Sequence, residues 1–230
     1  MNSHLNKKSC WYKFNIKDVI VIFILLIPGL VFLSTTGDIS VYFRFNVLDG
    51  QLLYVISKLV ALYALLLIWL QISLGMLGQQ GREKLGLLIG SKFHRNLGLS
   101  ILVSIILHVV LFVTAVSIRN GHFAYKLLLP NLFGPYYPFM LSLGVLALWL
   151  ILFAVMYISI SKKESKMYKW GHRATLPAFV LILIHSYTIG TESRAGLMMY
   201  FYMLMTVTFL IILTYRIISG FANRHQKVSI

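Results

Sequence analysis

Six stretches of the chain read as nearly continuous apolar runs, near residues 18–34, 52–76, 96–118, 139–160, 174–190 and 197–217. A helix crossing a bilayer needs roughly 17–25 mostly apolar residues, and each run meets that length. None alternates apolar and polar residues with period two, so a lipid-facing β-barrel is not expected. The stretch 119–138 carries Pro130, Gly134, Pro135 and Pro138 and reads as an irregular surface connection. No internal repeat or low-complexity segment interrupts the series. The first run follows Lys7, Lys8, Lys13 and Lys17, as a signal peptide would. It is broken by Pro28-Gly29 and followed by Ser34-Thr35-Thr36-Gly37 without a clear small-x-small cleavage site, so an uncleaved span is expected. The pattern predicts an all-α membrane protein: an N-terminal segment 1–17, a six-transmembrane-helix bundle over 18–217 and a tail 218–230.

Composition agrees. Of 230 residues, 59% are hydrophobic and 12% charged, against about 25% charged in soluble domains. Mean hydropathy is +0.82. An ordinary soluble enzyme, a disordered tail and a collagen-like fibre are excluded. The single cysteine, Cys10, excludes a disulfide framework, a cysteine-based zinc site, an iron–sulfur cluster and covalent c-type haem attachment. The net charge of +15 would suit nucleic acid in a soluble protein; in so apolar a chain it predicts basic loops flanking a membrane, and no nucleic-acid partner. With the N-terminus in the cytoplasm, all but Arg44, Lys58, Arg119, Lys126 and Arg194 of the 21 lysines and arginines fall on the inner side. Both termini are therefore expected to be cytoplasmic.

Ionisable residues at membrane depth are costly, usually face a protein interior and often carry function. Four of the seven histidines form two pairs. His94 and His108 lie 14 residues apart on the third run, and His172 and His185 lie 13 apart on the fifth. Both runs start at the same side, so His94 matches His172 in depth and His108 matches His185, about 20 Å further on at 1.5 Å per residue. Two imidazole pairs at two depths could hold two haems stacked across the bilayer. A hydrogen-bonded pair would also explain His108 and His185, and an interfacial position would explain His94 or His172 taken alone. Zinc or copper is the weaker alternative, because no Cys, Asp or Glu joins the histidines in the spans. At about 100° per residue, 14 steps return to one face but 13 do not. The fifth helix thus needs a kink, altered winding or differently placed haems, and Pro177 between its histidines is a candidate source of distortion.

The stretch Arg82-Glu83-Lys84-Leu85-Gly86, with Phe93-His94-Arg95-Asn96-Leu97-Gly98 and Leu107-His108, resembles the third-span signature of the ferric reductase-like transmembrane domain family. Trp170-Gly171-His172-Arg173, with Ile184-His185, resembles its fifth-span signature. The resemblance covers roughly residues 20–217. It implies a six-helix domain with two non-covalent b-type haems that carry electrons outward, as in ferric reductases, NADPH oxidases and the haem subunits of methionine sulfoxide reductases. Carried over, His94 and His172 match the inner-haem ligands, and His108 and His185 the outer-haem ligands. The methionine sulfoxide reductase subunits typically have an arginine-like residue where this chain has His94, so the other pattern fits better. Two departures matter. The chain has no Gly-rich dinucleotide fingerprint in the short stretch after Arg216, so the donor is expected to be a cytoplasmic flavin reductase or reduced flavin. Oxygen-reducing relatives often place a histidine one turn after the outer ligand, where this chain has Phe112, which weighs against dedicated superoxide production.

Secondary candidates surround these four. Lys58 is the one clear cation inside the second run and could pair with a haem propionate or snorkel to the interface. Arg95 and Arg173 each follow an inner ligand and could neutralise propionates, or simply obey the positive-inside rule. Arg119, Arg194 and His122 flank the outer mouth as acceptor-side candidates, while His4 and His225 read as solvated terminal residues. The reading that gathers these residues is a multi-pass inner (plasma) membrane protein, lipid-embedded. It would act as an oxidoreductase component that passes electrons to an external acceptor. The alternatives are an electron-transfer subunit of a periplasmic redox enzyme, such as a methionine sulfoxide reductase system, and a non-redox metal-binding membrane protein.

Overall fold

The computed structural model describes residues 16–44, 47–84, 91–190, 193 and 196–228. Among them the chain forms six α-helices: α1 (Ile16–Thr36), α2 (Gln51–Lys84), α3 (Ser91–Asn120), α4 (Tyr136–Ile160), α5 (Lys166–Ile189) and α6 (Gly196–Val228). Two short 3-10 turns, Ile39–Phe43 and Tyr125–Leu128, lie in the connections. Four helical stretches are long and apolar enough to cross a membrane: Gln51–Gly78, Lys92–Asn120, Tyr136–Ile160 and Gly196–Ser219. This is a membrane protein, because such helices satisfy every backbone polar group internally and present apolar side chains to lipid. The described apolar part of α1, Leu25–Thr36, is shorter. Helix α5 is not among the four; Lys166, Lys169, His172, Arg173 and His185 dilute its apolar character.

Helix α2 is the hub. It is the most buried of the four apolar helices, packs most closely on α3 and also meets α1, α5 and α6, while α4 pairs with α5. Leu65, Leu66, Ile68 and Ile72 of α2 join Phe179 of α5 and Met198, Phe201, Met205 and Phe209 of α6 in one apolar core. A polar strut crosses it, where the Trp69 indole donates to Thr208 Oγ1 over 3.1 Å. Glycine ends the spanning part of α2: Gly78 has φ 65° and ψ −176°, outside the helical region and accessible to a residue without Cβ. At the same end of the bundle, Ser165 caps α5 by accepting from the Tyr168 amide over 3.1 Å.

Phe179 is fully buried and meets Phe209 edge-on at 5.1 Å between ring centres. In lipid the transfer term for its removal shrinks, but the cavity term remains. Phe179→Ala is therefore expected to destabilise the bundle by on the order of 3 kcal/mol, seen as a lowered unfolding midpoint in detergent.

Candidate functional site

The helices carrying the histidines, α3 and α5, belong to different close pairs: α3 lies against α2, and α5 against α4. The four imidazoles project from these two hairpins. His94, in the first turn of α3, faces His172 of α5 with ring centres 6.5 Å apart and ring planes only 17° from parallel. That is longer than close face-to-face stacking. With metal–imidazole bonds of about 2 Å, two imidazoles on opposite sides of one metal have ring centres roughly 6 Å apart. The Tyr168 ring lies 4.6 Å from that of His172 on its own helix. On the α2 side, the Gln71 amide nitrogen is 3.2 Å from His94 Nε2 and donates to the His94 carbonyl over 3.0 Å.

The second pair is oriented by main-chain groups. His108 Nδ1 is 2.9 Å from the Ser57 carbonyl of α2, and His185 Nδ1 is 2.9 Å from the Met140 carbonyl of α4. A carbonyl only accepts, so each ring in its neutral form carries its proton on Nδ1 and keeps the Nε2 lone pair. Metal-binding histidines are oriented in this way by their surroundings.

These bonds depend on small residues. A helical side chain covers the turn on its N-terminal side, so the residue four positions on shields a helix carbonyl. Four positions after Met140 stands Gly144, where a Cβ would lie 2.6–2.8 Å from the His185 ring atoms. Four after Ser57 stands Ala61, and four after His94 stands Gly98. The carbonyls that receive His185, His108 and Gln71 are thus each uncovered by a glycine or an alanine.

Helix α5 runs unbroken through Pro177. The 13-residue spacing is met by rings with different neighbours: His172 opposes His94, whereas His185 rests against Gly144 of α4.

The secondary candidates fall into separate places. Lys58 and Arg119 converge on one ring: Lys58 Nζ is 5.7 Å and the Arg119 guanidinium carbon 6.0 Å from the centre of Tyr54. Arg119 also donates to Gln51 Oε1 over 2.7 Å. A cavity of about 290 Å³ opens between Tyr54, Phe112, Arg119 and Tyr137. Phe112 links it to the histidines, 6.2 Å from Tyr54 and 6.3 Å from His108 between ring centres. Arg95 and Arg173 are exposed beside the first pair, and Arg173 lies 6.0 Å from the Trp170 ring centre. His122 is exposed, its Nδ1 donating to the Asn120 carbonyl over 2.9 Å. Arg194, His4 and Cys10 lie outside the described residues, as does the side chain of His225. Among the described residues no three His, Cys, Asp or Glu side chains gather as a metal site.

Sequence reasoning did not single out Gln71, Ser57, Met140 or Gly144. A backbone carbonyl carries no residue-type signal, although a glycine in an apolar helix marks a place where something approaches closely. Comparison with known proteins returns no matching family model, no matching curated protein and no matching solved structure.

Proposed function

We propose that the chain is a transmembrane di-haem b electron-transfer protein of the ferric reductase-like type. It would span a cell inner membrane six times with both termini in the cytoplasm. The observation that supports it most is the His94–His172 geometry: two near-parallel imidazoles at 6.5 Å, close to the spacing required by one metal between them. The second pair fits the same chemistry through its two Nδ1–carbonyl bonds. Each pair offers two nitrogens, which suits a metal whose remaining positions are filled by a macrocycle better than a bare ion. When bound, each haem would supply a one-electron carrier.

The chain's own groups would do the rest. His94 with His172, and His108 with His185, would hold the two irons. The Ser57 and Met140 carbonyls would hold the neutral rings of the second pair as the Nδ1–H tautomer, with the Nε2 lone pair free to bind iron. Arg95 and Arg173 on the cytoplasmic side, and Lys58 with Arg119 on the outer side, are placed to meet propionates or an anionic acceptor. The donor would be reduced flavin or a cytoplasmic flavin reductase.

A second reading, an electron-transfer subunit serving a periplasmic redox protein, draws support from the α3–α4 connection. Phe123, Leu129 and Phe133 are exposed there, Phe133 completely, as a surface covered by a protein partner would be.

A reduced-minus-oxidised spectrum with haem quantitation on the purified chain tests the proposal. Two b-type haems per chain are expected, reduced by free reduced flavin but not by NADPH alone. No haem would overturn the reading and favour the non-redox metal-binding alternative. Reduction by NADPH within seconds would overturn the assignment of the donor.

A further inference from the structure

Gln71 lies on α2 opposite the first turn of α3, and its carboxamide touches His94 twice. The group that faces the His94 carbonyl at 3.0 Å must be the amide NH2, because the opposite orientation would set two acceptor oxygens against each other. That NH2 has a second proton to direct at His94 Nε2, 3.2 Å away. The ring nitrogen receiving it must then be without hydrogen. His94 is thereby held as a neutral imidazole with its proton on Nδ1 and its lone pair on Nε2.

Two further observations make the arrangement specific. Gln71 Oε1 is buried and has no hydrogen-bond partner among the described residues. Among those residues, the amide's hydrogen bonds are its donor contacts to His94, at the expense of its own acceptor. Gly98 admits it: a Cβ there would stand 3.3 Å from Gln71 Nε2, tight enough to make the amide give way. Gly75, one turn along α2, passes the His94 ring with room to spare, at 3.9 Å from a Cβ to Cε1.

We propose that Gln71 is the positioning residue of the His94–His172 site, fixing both the ring plane and the Nε2-lone-pair tautomer of His94. Imidazole binds a metal through an unprotonated nitrogen, so the pocket would hold this ligand in its binding form before any metal arrives. The proposal deepens the haem reading and rests on it for its purpose, although the tautomer itself does not depend on haem. The bond to the backbone carbonyl leaves the ring nitrogen available: a metal at Nε2 replaces one of the amide's two contacts and spares the other. The first site thus reaches by a side-chain amide the tautomer that the second site reaches by main-chain carbonyls.

The test uses the full chain in nanodiscs, labelled with ¹⁵N-histidine and prepared both haem-free and haem-loaded. In the haem-free chain, ring nitrogen shifts are expected to report the Nδ1–H tautomer at His94. Gln71→Leu should shift that population toward the Nε2–H form. Gly98→Ala, which keeps both polar partners but crowds the Gln71 amide, should move it the same way to a lesser extent and serves if the leucine variant folds poorly. His185, tied to Met140, should be unchanged in both. In the haem-loaded chain, the haem content of the wild-type protein is measured alongside, as the test of the functional reading. A wild-type tautomer retained in both variants overturns the proposal, whatever the haem content. An equal change at His185 overturns it too, since that would be general loosening. Wild-type protein that takes up no haem would overturn the functional reading instead, and leave the tautomer result standing.

Discussion

Gly144→Ala is expected to remove one of two haems while leaving the helices intact. A Cβ at position 144 would lie 2.6 Å from Cε1, 2.7 Å from Nδ1 and 2.8 Å from Nε2 of His185. Real Cβ atoms do not approach so closely, so the whole imidazole must move, and with it the 2.9 Å bond to the Met140 carbonyl. Loss of an outer partner alone typically costs about 10–100-fold in metal affinity; displacing the ligand ring should exceed that. Helix α4 itself should tolerate the change, since alanine has the higher helix propensity. Haem per chain should fall toward half, with the His94–His172 site retained and circular dichroism unchanged. Gly75→Ala is the control, because its Cβ would meet His94 at an ordinary 3.9 Å. Full haem content in Gly144→Ala would show that His185 is not a ligand.

How far the sequence foretells this molecule differs between helices and site. The apolar runs 52–76 and 139–160 fall within a few residues of the stretches Gln51–Gly78 and Tyr136–Ile160. Hydropathy sees only the part that lipid would contact. It underestimates α5, which begins at Lys166, because the helix continues through polar residues whose backbone groups still need partners. It likewise stops short on α6, which extends to Val228. Six membrane crossings with cytoplasmic termini, read from the lysines and arginines, remain part of the proposed function.

The site was legible where chemistry resides in residue type. Equal depth on two helices singled out His94 with His172, and the structure brings these rings to 6.5 Å. The 13-residue spacing on α5 had suggested a distortion at Pro177, one of several possibilities. Pro177 lies inside α5, and the two histidines of that helix find different neighbours. What could not be read were the groups that orient the rings. The Ser57 and Met140 carbonyls belong to ordinary helical residues, and the approach of His185 to Met140 needs the glycine at position 144, one turn later. Gln71 looked like one polar residue in an apolar run; its role depends on the packing of α2 against α3. Lys58 and Arg119 were separate candidates in sequence and become one feature around the Tyr54 ring.

The two sites are expected to fail independently, and His108→Ala should expose that most sharply. The pairs are separated by about 20 Å along the helices and are supported by different groups: Gln71 and Tyr168 at one, the Ser57 and Met140 carbonyls at the other. Removing His108 leaves a single imidazole at the second level and a Ser57 carbonyl that loses its ring donor. The second haem should be lost, and the first should remain reducible by internal flavin. In proteoliposomes reduced from inside, external ferric chelates should then oxidise the remaining haem at least a hundredfold more slowly than in the wild-type protein. The residual haem should keep its spectrum, since Gln71, His94 and His172 are untouched. In the wild type, the rate with an anionic chelate should fall as salt is raised, because Arg119 and Lys58 would draw it by a screened attraction. Unchanged oxidation in His108→Ala would place the electron exit elsewhere. Chelates inert even toward the wild type, with rapid oxidation by a periplasmic redox protein, would give the exposed α3–α4 connection the role of a docking surface.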